Sequence, residues 1–542
     1  MAREPHRDAG RRPVARRAPR RRTARTAQVG QRARRIVRPI ARRGYQAVSR
    51  APGSATDYSY DDAPGGSGST SVRWNAIALV GRQGIILVAS VILARLLGPT
   101  AYGIVAQANV YIALTTLLLD QGLTAALISQ KKITRDTAGA AATVNLGLAV
   151  VFILVTVPLA GPVASFLNTP ELVSVLPVLA LGLILKSIAI VPRMLLMRTL
   201  NFKSIAYSDV GSAVLGGVLG ILAALLGFGY WAIVVQLVAS DLLAAIILYV
   251  AARPPLPNLR MRALGDSIGF GTRVFIGNLI AFASRNIDNV LVGKFFGSQQ
   301  LGYYSLAYKV LLTPIQMVGQ VVTRVLFPAI SRVRDNHAEV SRLILRSTRG
   351  ISFIAFPLMA FIGVSAEDTI GFFLGASWLP AVLVLQVLSV TGARQAVTAV
   401  NAPVLLGLNR SDIHLRFNIA AAIVQIAGMI AGLPWGIVGV AVGYTIAGIL
   451  LTPVIFHLQK KLVGMGYRSQ LGAIAPAFHA SLWAIIPYAL LYLVPMLPIV
   501  RIVVGAVIFF AVFALVMRVV HRRVWKSLVA DGVSLLPKRA RR

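Results

Sequence analysis

The chain has 542 residues, of which 56% are hydrophobic and only 13% are charged, and its mean hydropathy is +0.72. Because soluble domains carry about a quarter charged residues, this composition excludes a string of soluble domains and predicts a polytopic membrane protein. The formal net charge is +37. No cysteine is present, which excludes disulfides, thiolate catalysis and cysteine-ligated metal sites.

The first 71 residues differ in composition from the rest of the chain. Residues 1–50 hold seventeen arginines against two acidic residues, Glu4 and Asp8, and residues 51–71 are small, acidic and glycine-rich. Because the tail has too few apolar side chains to offset the entropy lost when a chain becomes ordered, we expect a disordered cytoplasmic tail and linker. Such a tail either sets topology or contacts anionic lipid headgroups. Nucleic-acid binding is not expected, because the tail lacks an aromatic stacking platform.

Fourteen apolar segments follow the tail, each close to the roughly 20 residues that cross a bilayer. They cover residues 75–97, 102–127, 137–160, 172–192, 206–227, 231–251, 268–293, 301–327, 343–364, 380–407, 413–433, 435–457, 473–494 and 498–519. Alternate loops carry the positive charge, for example Lys131 and Lys132 in one and Lys460 and Lys461 in another. This pattern predicts cytoplasmic N- and C-termini in the inner (plasma) membrane.

The first twelve segments form a tandem repeat of six. Gly98 and Gly297 follow the first and seventh segments at a spacing of 199 residues, and Trp231 and Trp435 are 204 residues apart. Further anchors are Leu176-Pro177 with Leu379-Pro380, and Asn201 with Asn409. Because six is even, the halves share one orientation, as in transporters that expose a central site to each side in turn.

The predicted fold is therefore all-α, with two parallel-repeat six-helix lobes around a central cavity and two extra C-terminal helices. The predicted domains are a tail at 1–71, an N-lobe at 72–262, a C-lobe at 263–461, helices 13 and 14 at 462–520, and a basic cytoplasmic tail at 521–542. Pairs of glycines four residues apart, such as Gly428 and Gly432, predict close helix packing.

Two stretches resemble a known family. Residues 284–297 read SRNIDNVLVGKFFG, and the similarity continues through LGYYSLAY at 301–308 and FPAIS at 327–331. Residues 93–103, LARLLGPTAYG, are similar to the family's first-loop signature. The chain thus resembles the polysaccharide transporter family (Wzx-type, colanic-acid-exporter-like) of the multidrug/oligosaccharidyl-lipid/polysaccharide superfamily. The resemblance implies two six-helix lobes and the flipping of polyprenyl-pyrophosphate-linked oligosaccharides.

Ionisable side chains inside apolar segments mark the candidate site, because each costs about 2.5–3.5 kcal/mol to insert. The substrate-binding candidates are Arg82, Arg285, Arg394, Lys186, Gln83, Asn286 and Gln395, and the ion-coupling candidates are Asp288, Asp120 and Asp241. Arginine suits a diphosphate because its planar guanidinium bonds phosphate bidentately. A structural ion pair within the membrane is the alternative, for example between Arg285 and Asp288, which lie one helical turn apart.

No motif for catalysis or nucleotide binding accompanies these residues. The sequence has no GxxxxGK[ST] phosphate loop, HExxH pair or nucleophile elbow, so neither an enzyme nor a resident cofactor is expected. The sequence does not decide whether transport is driven by the membrane potential or by coupling to H⁺ or Na⁺. The predicted function is export of a lipid-linked oligosaccharide, with membrane lipids and polymerase or glycosyltransferase machinery as partners. The alternative is a cation-coupled drug or metabolite exporter of the same superfamily.

Overall fold

The computed structural model describes residues 68–120, 133–260 and 267–535, and every regular element in these ranges is a helix. Most of the tail predicted at 1–71 lies outside these described residues. The N-lobe consists of α1 (Gly68–Asp120), α2 (Arg135–Phe166), α3 (Leu172–Arg198), α4 (Phe202–Leu225) and α5 (Trp231–Ala252).

The C-lobe follows the same plan with more breaks. It consists of α6 (Ser267–Val333), α7 (His337–Val364), α8 (Ala366–Phe373), α9 (Ala381–Thr398), α10 (Asn401–Gly407), α11 (Ser411–Gly432) and α12 (Gly436–Val463). Three helices come after it: α13 (Tyr467–Leu490), α14 (Pro498–Val519) and α15 (Arg522–Leu535).

The helices agree with the fourteen predicted segments. Ten helical stretches of the described chain are long and apolar enough to cross a membrane. Two of them, Gly81–Leu119 and Ser411–Val463, are interrupted at Gly98 and Gly436 and so hold two predicted segments each. Helix α6 holds two more on either side of Gly297. The protein is therefore an all-α, multi-pass membrane protein with about fourteen transmembrane helices.

The backbone confirms the internal repeat at its first anchor. Gly98 breaks α1 with φ 76° and ψ 175°, and Gly297 breaks α6 with φ 77° and ψ −178°. A side chain is strained at such positive φ, so glycine is required at both breaks. The Leu-Pro anchor is weaker, because Pro177 lies inside α3 whereas Pro380 precedes α9.

Glycines allow two equivalent helix pairs to pack closely. In the C-lobe, a Cβ added to Gly432 of α11 would lie 2.1 Å from the carbonyl oxygen of Gly439 on α12. In the N-lobe, a Cβ added to Gly220 of α4 would lie 2.7 Å from Gln236 of α5. The glycine pairs thus serve helix packing, as predicted.

A buried ion pair attaches the two extra helices to the C-lobe. Asp368 at the start of α8 accepts a hydrogen bond from Arg501 of α14 at 3.0 Å and another from the hydroxyl of Tyr488 of α13 at 3.1 Å. The Arg501 and Asp368 side chains are only 14% and 4% exposed. Partners on both helices satisfy the Asp368 carboxylate, which a buried charge requires.

Helix α15 occupies part of the region predicted as a basic tail at 521–542. Its apolar side chains, including Trp525, pack on α7 and α14, and the Trp525 ring lies 5.9 Å from that of Phe353. Arg522, Arg523 and Lys526 stay exposed. The tail therefore begins with an amphipathic helix, and residues 536–542 lie outside the described chain.

Candidate functional site

A polar cavity of about 460 Å³, here called the central cavity, lies between the two lobes. Helices α1, α3, α4 and α5 of the N-lobe line it, together with both halves of α6 from the C-lobe. The charged and amide side chains that line it are Arg82, Asn109, Lys186, Gln236, Asp241, Asn286, Asn289 and Lys309. Side chains of both lobes thus face one chamber, which is the arrangement that alternating access requires.

Cations exceed acids among these lining residues. Arg82 of α1 lines the cavity with an exposed side chain. Lys186 of α3 forms an ion pair with Asp241 of α5, with 3.5 Å between Nζ and Oδ2. Lys309 of α6 donates to the Ser90 hydroxyl at 2.6 Å. Three cations against one carboxylate give the described wall a net positive charge and favour an anionic ligand.

The structure brings together four of the predicted site residues. Arg82, Lys186, Asn286 and Asp241 all line the central cavity. Asn286 donates from Nδ2 to the carbonyl of Phe282 at 2.9 Å, which holds its amide on α6. Gln83, next to Arg82 along the chain, is not among the residues that line the cavity.

Other predicted site residues lie elsewhere. Arg394 and Gln395 line a separate cavity within the C-lobe. Asp288 is buried, and its carboxylate accepts hydrogen bonds from the hydroxyl of Tyr304 at 3.4 Å and from the backbone N–H of Asn289 at 2.8 Å. The side chains of Arg285 and Asp120 lie outside the described part of the structure. Their predicted roles therefore stay predictions.

Lys309 was not predicted as a site residue, although the sequence held a signal for it. It is a cation within the apolar segment 301–327, and the cost of inserting a charge applies to it as it does to Arg82. Its Nζ also lies 3.4 Å from the hydroxyl of Tyr102 on α1. A C-lobe cation therefore reaches two N-lobe hydroxyl groups across the cavity.

The lobes meet through backbone at one end of the central cavity, here called the closed end. A Cβ added to Gly103 would lie 1.7 Å from the carbonyl oxygen of Ser298, and one added to Gly302 would lie 2.0 Å from that of Pro99. These two contacts are equivalent under the 199-residue repeat. No side chain fits at either glycine without separating the lobes.

Aromatic side chains reinforce the closed end. The buried Trp378 donates from its indole nitrogen to the carbonyl of Ala94 at 3.0 Å. The rings of Tyr102 and Tyr303, one from each lobe, meet Trp378 edge-on at 5.8 and 5.9 Å. Such edge-to-face pairs add specific attraction to apolar burial. The closed end is therefore tightly packed and buried from solvent.

Two helical lobes around a positively lined cavity define a polytopic membrane transporter. A family model described as "Polysaccharide biosynthesis protein" matches residues 92–383, more than half of the chain. The chain belongs to this family.

Individual relatives agree with this assignment. The Lipopolysaccharide biosynthesis protein WzxC of Escherichia coli (strain K12) is 25% identical over 432 residues, which are 78% of this chain and 87% of WzxC. The Succinoglycan biosynthesis transport protein ExoT of Rhizobium meliloti (strain 1021) is 29% identical over 347 residues, 63% of this chain and 70% of ExoT.

A solved structure shares the fold. The lipid II flippase MurJ in an inward closed conformation superposes with a TM-score of 0.68 at 13% sequence identity. The match covers 83% of this chain and 99% of MurJ. The similarity confirms the two-lobe architecture.

Proposed function

We propose that this protein is a flippase that moves a polyprenyl-pyrophosphate-linked oligosaccharide from the cytoplasmic to the outer leaflet of the inner membrane. It acts as a transporter and not as an enzyme, and its cargo is a precursor of a cell-surface polysaccharide. The membership in the polysaccharide biosynthesis family and the relatives that carry transport or biosynthesis names support this proposal.

The observation that carries the proposal is the excess of cations in the central cavity. A diphosphate needs cationic hydrogen-bond donors in a chamber from which water is partly excluded, and Arg82 and Lys309 supply them. The amides of Asn109, Gln236 and Asn286 suit the hydroxyl groups of a glycan. A cationic drug is poorly matched to a wall of this charge, so the exporter alternative is disfavoured.

In the proposed orientation, both termini are cytoplasmic and the closed end faces outward. The chamber then loads its cargo from the cytoplasmic side, and separation of the lobes at Gly103 and Gly302 releases it outward. The polyprenyl tail stays among the membrane lipids and leaves the cavity between the lobes. Polymerase or glycosyltransferase machinery would supply and use the cargo.

A flipping assay in proteoliposomes with lipid-linked repeat units tests the proposal. We expect Arg82→Gln and Lys309→Gln each to lower the flipping rate by roughly tenfold or more, because a hydrogen bond to a charged group contributes about 1.5–3 kcal/mol. The control is Arg410→Gln, an exposed arginine in the turn before α11. The same assay with imposed proton or sodium gradients tests whether either ion is coupled to transport, with Asp288→Asn as the variant.

Two results would contradict the proposal in different ways. A native protein that binds but does not flip lipid-linked oligosaccharide would overturn the function. If both Arg82→Gln and Lys309→Gln flip the substrate at the native rate, only the role assigned to the central cavity would be overturned.

A further inference from the structure

A second polar cavity, here called the C-lobe cavity, lies inside the C-terminal half. Its volume is about 460 Å³, and α9, α10, α11 and α12 line it together with Ile315 of α6. It shares no lining residue with the central cavity among the described residues. Its polar wall includes Arg394, Asn401 and His414, and none of its described lining residues is acidic.

Comparison of the two lobes shows that, among the described residues, Arg394 has no carboxylate side chain as an ion-pair partner. Its repeat equivalent Lys186, 208 residues earlier, forms an ion pair with Asp241. The residue equivalent to Asp241, at the 204-residue spacing of Trp231 and Trp435, is Thr445, whose hydroxyl bonds that of Thr391 at 2.6 Å. Within the described residues, no carboxylate lies within ion-pair distance of Arg394.

Three residues in the wall of the C-lobe cavity hold buried polar atoms without partners. These atoms are Nε of Arg394, Oδ1 of Asn401 and Nδ1 of His414. Asn401 is only 5% exposed. Because an unpaired buried polar atom costs about 1–3 kcal/mol, three on separate helices around one cavity favour the binding of a polar group there.

The hydrogen-bonding chemistry of these atoms favours an anion. Nδ2 of Asn418 lies 3.2 Å from Nε2 of His414, and because an amide NH₂ only donates, the proton of the neutral ring sits on Nδ1. Arg394 Nε is likewise a donor. The unpaired atom of Asn401 is the acceptor Oδ1, and a half-turn of the amide about its side-chain bond would present the NH₂ group in its place. The cavity can therefore offer donors from three helices.

Gly448 fixes the position of the guanidinium group. A Cβ at this position of α12 would lie 2.6 Å from Cζ, Nε and Nη2 of Arg394, so the guanidinium lies directly against the glycine backbone. Arg394 also borders an apolar groove that α13 helps to form, with Phe478 in its wall. The cation therefore stands between a polar cavity and an apolar groove.

We propose that Arg394, Asn401 and His414 form a second anion site that binds a phosphate group inside the C-lobe, separate from the central cavity. The phosphate belongs either to the headgroup of an anionic lipid, whose chains occupy the adjoining groove, or to a soluble phosphate compound. This proposal does not depend on the cargo, because it concerns a cavity other than the proposed transport chamber.

Binding measurements on the full-length protein test this site. An Arg82→Gln/Lys309→Gln background removes two cations of the central cavity. One arm titrates inorganic diphosphate into protein held in phosphatidylcholine nanodiscs. The other arm counts phosphatidylglycerol molecules retained from mixed nanodiscs by native mass spectrometry. In at least one arm we expect Arg394→Gln to weaken binding by tenfold or more, and Arg410→Gln to leave it unchanged.

Gly448→Ala is the second variant, and it keeps the positive charge while displacing the guanidinium. We expect it to weaken binding severalfold, which also tests the site should Arg394→Gln fail to fold. Loss in the diphosphate arm alone identifies a soluble phosphate, and loss in the lipid arm alone identifies a headgroup. Binding equal to the background in both arms, with Gly448→Ala folded, would overturn the proposal.

Discussion

Lys309 connects the two lobes through hydrogen bonds of one side chain. It belongs to the C-lobe helix α6, yet its ammonium contacts Ser90 and Tyr102 of the N-lobe helix α1. A phosphate bound in the central cavity, as proposed, would compete with these hydroxyl groups for the same ammonium. Under the proposed function, cargo binding and the contact between the lobes would therefore depend on one group.

Asp241 tunes the charge of the central cavity, because it neutralises Lys186. We expect Asp241→Asn to tighten inhibition of flipping by inorganic diphosphate, since the lysine then lacks its carboxylate. Both side chains are more than a quarter exposed. The gain should be at most about fivefold, because pairs of this exposure contribute about 0.2–1 kcal/mol. The inhibition constant is the measurement, and Lys186→Gln should move it in the opposite direction. Weaker inhibition of Asp241→Asn would contradict this prediction.

The cost of burying charge identified Arg82, Lys186 and Asp241 from the sequence, and the structure places all three in one cavity. The same rule could not separate Lys186 from Arg394, which occupy matching places in the repeat. What separates them is the residue on a neighbouring helix, an aspartate in one lobe and a threonine in the other. Pairing across helices depends on packing, which one segment's pattern does not contain.

Helix α15 illustrates the same limit for a whole element. Its many basic residues predicted a basic cytoplasmic tail, but Val524, Trp525 and Leu528 form an apolar stripe that packs against α7 and α14. The three- and four-residue spacing of this stripe is visible in the sequence. The prediction rested on the basic residues alone, whereas the packing surface offered by α7 and α14 stabilises the helix.

The position of α15 should respond to pH through His521, which directly precedes it. Nδ1 of His479 lies 3.2 Å from Nε2 of His521, and the indole of Trp483 donates to the other nitrogen of His479 at 3.0 Å. His479 therefore donates to His521, which must accept as a neutral ring. Burial, and secondarily the charge of His479, lower the pKa of His521 below its usual value.

Because its pKa is lowered in the folded protein, neutral His521 contributes stability above the ordinary histidine pKa of about 6.5, and this contribution is lost as pH falls through the lowered pKa. We expect amide exchange in α15 to accelerate between pH 7.5 and 5.5, after correction for intrinsic exchange rates. Hydrogen exchange with mass spectrometry measures this change. His521→Gln should remove most of the pH dependence, and equal acceleration in that variant would contradict the assignment.

The reciprocal contact at the closed end should control which side of the molecule is open. A methyl group on Gly103 would fall 1.7 Å from a backbone oxygen of the other lobe, so Gly103→Ala must separate the lobes there. We expect this variant to populate a state in which the two lobes are separated at the closed end. A single cysteine at Ser305, in the central cavity, reports this opening through a membrane-impermeant maleimide, because the chain has no native cysteine.

The matched control is Gly147→Ala on α2, where an added Cβ meets nothing within 4 Å. We expect labelling from outside to rise at least severalfold in Gly103→Ala and to stay at the native level in Gly147→Ala. Native labelling in both variants would show that the contact does not limit opening.

The architecture was predicted from the sequence because each helix that crosses a membrane must be a long apolar segment, which can be identified from its own residues. The described parts of the fourteen apolar segments fall on helices, and the paired glycines at 98 and 297 adopt nearly the same backbone angles. Which lobe surfaces touch was not predictable. The contacts of Gly103 with Ser298 and of Gly302 with Pro99 join residues about 200 positions apart, and a glycine beside a helix break does not reveal what it faces.

Main-chain atoms form the two contacts between the lobes at Gly103 and Gly302, and such atoms are common to every residue. Contacts of this kind have no preference for one sugar over another. Under the proposed function, discrimination between glycans would then come from the walls of the central cavity. A lineage could exchange one exported polymer for another by altering those walls while the sealing geometry stays as it is.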